Sequence, residues 1–179
     1  MSEHKPGHWL FVVRTEDRPG AAADIAVVFS GRGIQLESLV GSGDLRHPPG
    51  EGQGTICLTF QAFESRQEMV RRVLQRLEVV RSVEGFDYDR DPRLVKAAAL
   101  RLERWDDSVE AALVEAGVAF HRMDDRAAGT IVSLSGRPPA VDHAIGALAG
   151  AGLLSEAACS LLPPAIAGLT DQAREASLA

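Results

Sequence analysis

The sequence contains few cysteines and no long apolar run, and both absences restrict what it can encode. Cys57 and Cys159 are the only cysteines in 179 residues, far apart and without a CxxC pair. Both lie in apolar, strand-like runs, which predicts buried free thiols in a reducing compartment. No stretch approaches the roughly 18 apolar residues of a membrane span, and the first seven residues lack the apolar segment of a secretory signal. We therefore expect a cytoplasmic protein with no membrane partner.

Signatures of catalysis and of nucleic-acid binding are missing too. The five histidines lie in different predicted elements without metal-ligand spacing, and no Walker A, HExxH or GxSxG pattern occurs. Acidic pairs at positions 106–107 and 124–125 suit a helix cap and a hairpin turn. The net charge of −6 argues against binding nucleic acid by neutralising phosphates. We expect no catalytic residue, no metal and no nucleic-acid partner.

The apolar pattern repeats one order of elements in the two halves of the chain. Strands alternate apolar residues or run continuously apolar, and the helices carry apolar stripes at helical spacing. The first half reads as strand 8–14, a helix ended by Gly31 and Gly33, strand 34–40, a loop rich in Gly and Pro at 41–54, strand 55–63, a helix capped by Ser65, and strand 79–88. The second half reads as strand 94–102, a helix capped by Asp106 or Asp107, strands 118–123 and 129–135, a helix opened by Pro138 or Pro139, and strand 153–162.

This βαββαβ order, found twice, predicts the α+β class with two tandem ferredoxin-like domains. The polar segment 89–92 separates the halves. The expected organisation is an N-terminal tail at 1–7, a first domain at 8–90, a C-terminal ferredoxin-like domain at 91–169, and a frayed or disordered tail at 170–179.

The turn between the first strand and the first helix, residues 16–20, is the most informative part of the sequence for function. We call it the first turn. Asp17 is expected to cap the following helix, with Pro19 in its first turn and Gly20 offering no side chain to obstruct a ligand. A helix start carries free backbone N–H groups and a positive dipole end, both of which favour a small anion. Asp17 can in turn accept hydrogen bonds from an ammonium group. One turn would then hold both ends of a free amino acid; a capped helix start with nothing bound is the equal alternative.

Gln35 is a further candidate, because its amide offers both a donor and an acceptor. It opens the second predicted strand, and we expect that strand to begin beside the first turn. On its own, a solvated glutamine at a strand edge explains the residue as well.

Two motifs in this region carry a resemblance to a known family. Residues 16–20 read Glu-Asp-x-Pro-Gly, and residues 28–39 read Val-Phe-Ser-x-Arg-Gly-Ile-Gln-Leu-Glu-Ser-Leu. Together they resemble the amino-acid-binding ACT domain and, more narrowly, the small regulatory subunit of acetolactate (acetohydroxyacid) synthase. The resemblance is strong in the first half and looser in the second, where residues 129–136 are similar to a strand of that family.

The resemblance implies a non-catalytic subunit that binds an amino-acid effector, usually valine, between the ACT domains of a homodimer. It also implies a separate acetolactate synthase-like catalytic subunit, to which thiamine diphosphate, Mg²⁺ and FAD belong; this chain would carry no cofactor. By motif position, the implied effector-binding residues are Asp17, Pro19, Gly20, Ala21, Ala22, Ile34, Gln35 and Leu36.

Three of these positions differ from the pattern usual in the family. Asp17 replaces an Asn, Ala22 replaces a Leu, and Gln35 replaces an Asn. The changes add a negative charge, enlarge the pocket and lengthen one side chain. They keep a second hypothesis open, a stand-alone ACT-type amino-acid sensor or interaction module with a different partner.

Overall fold

The structure, a computed structural model, describes residues 5–43, 52–125 and 129–162. The chain divides into two compact units, Met1–Asp91 and Pro92–Ala179. Most of the expected N-terminal tail, much of the loop predicted at 41–54, and the whole C-terminal tail lie outside the described residues.

The first unit is a four-stranded antiparallel sheet with two helices. Its elements are β1 (Gly7–Glu16), α1 (Ala21–Ser30), β2 (Leu36–Ser42), β3 (Gln53–Ala62), α2 (Glu64–Leu74) and β4 (Val80–Asp87). The strand order is β2-β3-β1-β4, which leaves β2 and β4 as the edges.

The second unit repeats this arrangement. Its elements are β5 (Val95–Leu102), α3 (Asp107–Glu115), β6 (Ala119–Asp125), β7 (Gly129–Gly136), α4 (Pro138–Gly150) and β8 (Leu154–Leu162). The strand order is β6-β7-β5-β8, with β6 and β8 at the edges. The predicted α+β class and the twofold βαββαβ order are confirmed.

Aromatic and aliphatic side chains between helices and sheet form the core of the first unit. Ile25 and Phe29, four residues apart on α1, are both fully buried. The Phe60 ring on β3 meets the rings of Phe11 and Phe29 edge-on, with centroids 4.9 and 5.0 Å apart. Because such pairs add to the energy of apolar burial, this cluster holds α1 against the sheet.

Within the described residues, glycines end three of the four helices by the same mechanism. Gly33 follows α1 at φ 60°, Gly117 follows α3 at φ 69°, and Gly152 follows α4 at φ 68°. At the first of these ends, the Ile34 N–H donates to the Phe29 carbonyl (3.1 Å) and the Gly33 N–H to the Ser30 carbonyl (3.0 Å), a Schellman pair of bonds. Because this turn uses Ile34, β2 begins at Leu36, two residues later than predicted.

The helix starts match the predictions only in the second unit. Asp106 is the N-cap of α3, accepting from the N–H groups of Ser108 and Val109, and Pro138 opens α4. The prediction for Ser65 is wrong. The N-cap of α2 is Phe63, with no side-chain cap, because the helix starts at Glu64 directly after β3 and encloses Ser65.

The cap at Asp106 predicts a pH-dependent stability. The Ser108 hydroxyl, the Arg104 guanidinium and two backbone N–H groups lower the pKa of Asp106 from its usual 3.8 to about 2. A folded pKa below the unfolded one means that the carboxylate stabilises the fold above about pH 3.8, and that this contribution is lost as the pH falls through about 2.

We expect Asp106→Ala to lower the melting temperature by a few degrees at pH 7. The difference from wild type should shrink between pH 4 and pH 2 in circular dichroism melts, and exposed Asp107→Ala is the control. A difference independent of pH would contradict this role.

Candidate functional site

The connection between β1 and α1 is built on a left-handed glycine. Gly20 is the N-cap of α1, with φ 90° and ψ −16°, and no side chain accepts a hydrogen bond at this cap. The first helical bond runs from the Asp24 N–H to the Gly20 carbonyl (2.9 Å). The Ala21 N–H, first in the helix, donates back to the Arg18 carbonyl (3.3 Å). Because no side chain caps this start, the next helix amides and the positive end of the dipole are available to an outside acceptor.

The predicted cap by Asp17 is therefore wrong. Because Gly20 reverses the chain on its own, Asp17 and Pro19 both lie in the turn ahead of the helix. The Asp17 carboxylate lies instead beside the end of β2, where a Cβ placed on Gly43 would be 2.8 Å from Oδ2. The backbone N–H of Asp17 donates to the Gly52 carbonyl (3.3 Å). These contacts bring the turn together with the C-terminal end of β2 and the start of β3.

A small cavity of about 160 Å³ opens between these segments. It is lined by Thr15, Glu16, Asp17, Arg18, Ala21, Ala22, Gly41, Ser42, Gly43, Gly54, Thr55 and Ile56. Three of the predicted effector-binding residues, Asp17, Ala21 and Ala22, line it, and Pro19 and Gly20 belong to the same turn. The volume is below the roughly 300 Å³ at which pockets for drug-sized molecules begin, so the cavity suits a small ligand.

Sequence reasoning missed the lining contributed by β2 and β3. The sequence predicts a loop at 41–54 and a strand at 55–63, and none of these residues is among the predicted effector-binding residues. The available signal was the glycine at positions 41, 43 and 54, since glycine allows close approach of a backbone or a ligand. Only the pairing of β2 with β3 brings these glycines to the turn.

The three predicted residues at the start of the second strand lie elsewhere. Leu36 pairs with Phe60, which pairs with Trp9 near the start of β1, whereas the turn follows the end of β1 at Glu16. The expectation that Gln35 lies beside the turn of its own chain is therefore wrong, because antiparallel pairing puts the start of β2 at the far end of the sheet. Ile34 is buried in the core, Gln35 is exposed, and Leu36 packs partly buried against the core.

Charged groups around the cavity are held by neighbours. Glu16 pairs with Arg81 of β4, and Arg18 lies 3.6 Å from Asp24. The Arg14 guanidinium donates to the Thr55 hydroxyl, which fixes that hydroxyl at the cavity wall. The arrangement offers a carboxylate on one side and helix amides on the other, and so matches the two charged ends of a zwitterion.

Gly54 is a test of how tightly the cavity is built. A Cβ on Gly54 would lie 2.8 Å from Thr15 Oγ1, and Thr15 is buried. We expect Gly54→Ala to destabilise the protein by about 1–3 kcal/mol, as overpacking does. Gly41→Ala is the matched control, because its Cβ would make an ordinary 3.9 Å contact with Ile56. Urea denaturation measures both; equal stabilities of the two variants would contradict the predicted crowding.

The described ranges contain neither a cluster of metal ligands nor a membrane-spanning helix. Across residues 5–43, 52–125 and 129–162, no group of three or more His, Cys, Asp or Glu side chains could hold a metal ion. In that same part of the chain, no helix is both long and apolar enough to cross a membrane.

Comparison with known proteins gives matches among solved structures alone. The sequence matches no protein-family profile, and no curated protein matches it. The small subunit of acetolactate synthase from Thermotoga maritima superposes with a TM-score of 0.65 at 18% identity, covering 87% of this chain and 94% of that one. The regulatory subunit of aspartate kinase from Thermus thermophilus gives a TM-score of 0.41 at 15% identity, covering 79% and 92%. The second score is too low to carry an argument. The first shows that this chain has the fold of the acetolactate synthase small subunit.

Proposed function

We propose that the chain is a non-catalytic regulatory subunit that binds a small amino-acid effector and modulates an acetolactate synthase-like catalytic subunit. The observation that carries the proposal is the first turn, where an uncapped helix start and the Asp17 carboxylate border one small cavity. The fold shared with the Thermotoga maritima small subunit supports it. The protein would work in the cytoplasm, in branched-chain amino-acid biosynthesis.

The chemistry of the cavity supports an amino acid as the ligand. The effector carboxylate would dock at the first amides of α1, where a helix favours an anion. The effector ammonium would donate to Asp17. Ala21, Ala22 and Ile56 supply apolar lining for a short side chain.

A homodimer explains why the candidate residues lie at two ends of one sheet. β2 is an edge strand, and pairing it antiparallel with β2 of a second copy, centred near Leu39, would put the start of one strand against the end of the other. Gln35 of the partner subunit would then lie near Ser42 and Gly43, beside Asp17. The site would be shared between two chains, and an effector that binds one arrangement of this interface more tightly shifts the population toward it.

Mixing two defective variants tests the shared site. Gly20→Asp places a carboxylate in front of the amides of α1, and Gln35→Ala removes the amide contributed by the other chain. Each variant alone is expected to lose effector binding, whereas co-refolding them one to one restores about a quarter of the sites, because a heterodimer keeps one site intact. Calorimetric titration counts the sites. A mixture that binds no better than either variant alone would contradict a site shared between chains.

A second candidate function is a stand-alone amino-acid sensor with a different partner. The substitutions at Asp17, Ala22 and Gln35 favour it, because they alter the charge and size of the implied valine pocket. Co-purification with the acetolactate synthase catalytic subunit of the same organism separates the two functions. In the first case the subunits associate, and the catalytic subunit carries thiamine diphosphate, Mg²⁺ and FAD. Effector binding without that association would leave the sensor.

A further inference from the structure

The edge strand β8 has the features of an unoccupied pairing surface. β8 (Leu154–Leu162) pairs with β5 on one side, and no strand of the described residues pairs with its other side. An antiparallel edge presents the N–H and C=O groups of every second residue outward. After an irregularity at Ser155, residues 156–162 pair one to one with β5, so this edge is regular over seven residues.

Charged residues are sparser in β8 than in the edge strands β4 and β6. β4 carries Arg81, Glu84 and Asp87, and β6 carries Arg122. Proteins use charged side chains of this kind to keep sheet edges from pairing with other chains. β8 has one charged residue, Glu156, followed by Ala-Ala-Cys-Ser-Leu-Leu with no charge, proline or glycine. Residues 155–160 are exposed, and Leu162 is 52% exposed.

We propose that β8 pairs antiparallel with β8 of a second copy of this chain, joining two four-stranded sheets into one of eight strands. Beyond Glu156, β8 carries no charge, so it can lie against its own copy without bringing like charges together, although the whole chain has a net charge of −6. The pairing is distinct from the β2 interface of the proposed function, because it involves the other unit of the chain.

Symmetry determines the register of this pairing. A two-fold axis perpendicular to a sheet keeps each side chain on its own face, and residues directly opposite each other in an antiparallel pair share a face. The residue nearest the axis must therefore face its own copy across the axis. For residues 156–162 that residue is Cys159, which would face Cys159 of the partner subunit. Glu156 would face Leu162 of the partner subunit, and the two Glu156 carboxylates would stand roughly 20 Å apart along the strands.

Chemical cross-linking of the full-length wild-type chain tests this register. Cys159 is exposed, while burial raises the pKa of the Cys57 thiol more than the charge of Arg14 lowers it, so Cys159 is the more reactive thiol. A short bismaleimide should join two chains through Cys159, and peptide mass spectrometry identifies the linked residue. Cys159→Ser should lose the product. The control is His121→Cys in the Cys159→Ser background, which places an exposed thiol on the charged edge β6.

The expected result is a cross-link at Cys159 about tenfold or more faster than at position 121, since pairing raises the local thiol concentration. Variants Ala158→Cys and Ser160→Cys, each made in Cys159→Ser, refine the test, because positions 158 and 160 face each other across the axis. They should cross-link faster when mixed than when alone.

A rate at Cys159 no greater than at position 121 would overturn the proposal, as would a purified chain whose edge pairs only with peptides of other proteins. Effector binding by Cys159→Ser should equal wild type, so failure here leaves the proposed function untouched.

Discussion

Replacing Gly20 with Asp should abolish amino-acid binding while leaving the protein folded. A Cβ at Gly20 would meet no atom within 4 Å, so the new carboxylate enters the open space in front of α1. There it would cap the helix amides itself and repel the carboxylate of the ligand. Losing the docking amides and adding repulsion each cost on the order of 1–3 kcal/mol, so the dissociation constant should rise at least about thirtyfold.

The control for Gly20→Asp must carry the same backbone strain. Gly20 has φ 90°, where an L-residue costs about 1–2 kcal/mol. Gly117→Asp adds a comparable strain at φ 69°, also into open space, in the second unit of the chain. Both variants should melt below wild type, and calorimetry should detect binding only by Gly117→Asp. Undiminished binding by Gly20→Asp would contradict a ligand at this helix start.

Truncating Phe60 should have the largest effect on the stability of the first unit. Phe60 is fully buried and contacts both Phe11 and Phe29, so Phe60→Ala leaves a cavity under α1. The expected loss is about 3–5 kcal/mol of the free energy of unfolding. The matched control is Phe63→Ala, because Phe63 is 49% exposed and its truncation should cost less than about 1 kcal/mol.

Tryptophan fluorescence can assign that loss to one unit. Trp9 lies in β1 and Trp105 in the second unit, so a Trp105→Phe background leaves Trp9 as the reporter. Urea denaturation of Phe60→Ala and Phe63→Ala in this background gives the two free energies. Equal losses would show that the three-ring cluster does not hold the first unit together.

Local sequence signals predicted the elements of this fold well. Apolar periodicity identified the eight strands and four helices that the described residues form, and Gly33 and Gly117 ended their helices as expected. The predicted caps of two helices are wrong. At α1, a Pro-Gly turn begins the helix from a left-handed glycine without any capping side chain. At α2, Ser65 lies one residue inside the helix. Cys159 was predicted to be buried and is exposed, since it lies on an edge strand.

Only part of the candidate site could be predicted from the sequence. Asp17, Ala21 and Ala22 follow from the turn motif, which is local. The contributions of Gly43 and Gly54 depend on the pairing of β2, β3 and β1, which brings Gly43 to Asp17, 26 positions earlier, and Gly54 to Thr15, 39 positions earlier. The distance of Gln35 from the turn is likewise a consequence of strand direction, which no local motif encodes.

Isothermal titration calorimetry of the full-length wild-type chain against each of the twenty amino acids is the most direct test of the central claim. The first turn predicts saturable binding of one or a few L-amino acids with short apolar side chains, at one site per chain. The matching D-enantiomer should not bind, because it cannot satisfy the helix amides, Asp17 and the apolar lining together. The absence of binding by all twenty amino acids would contradict an effector site at Gly20.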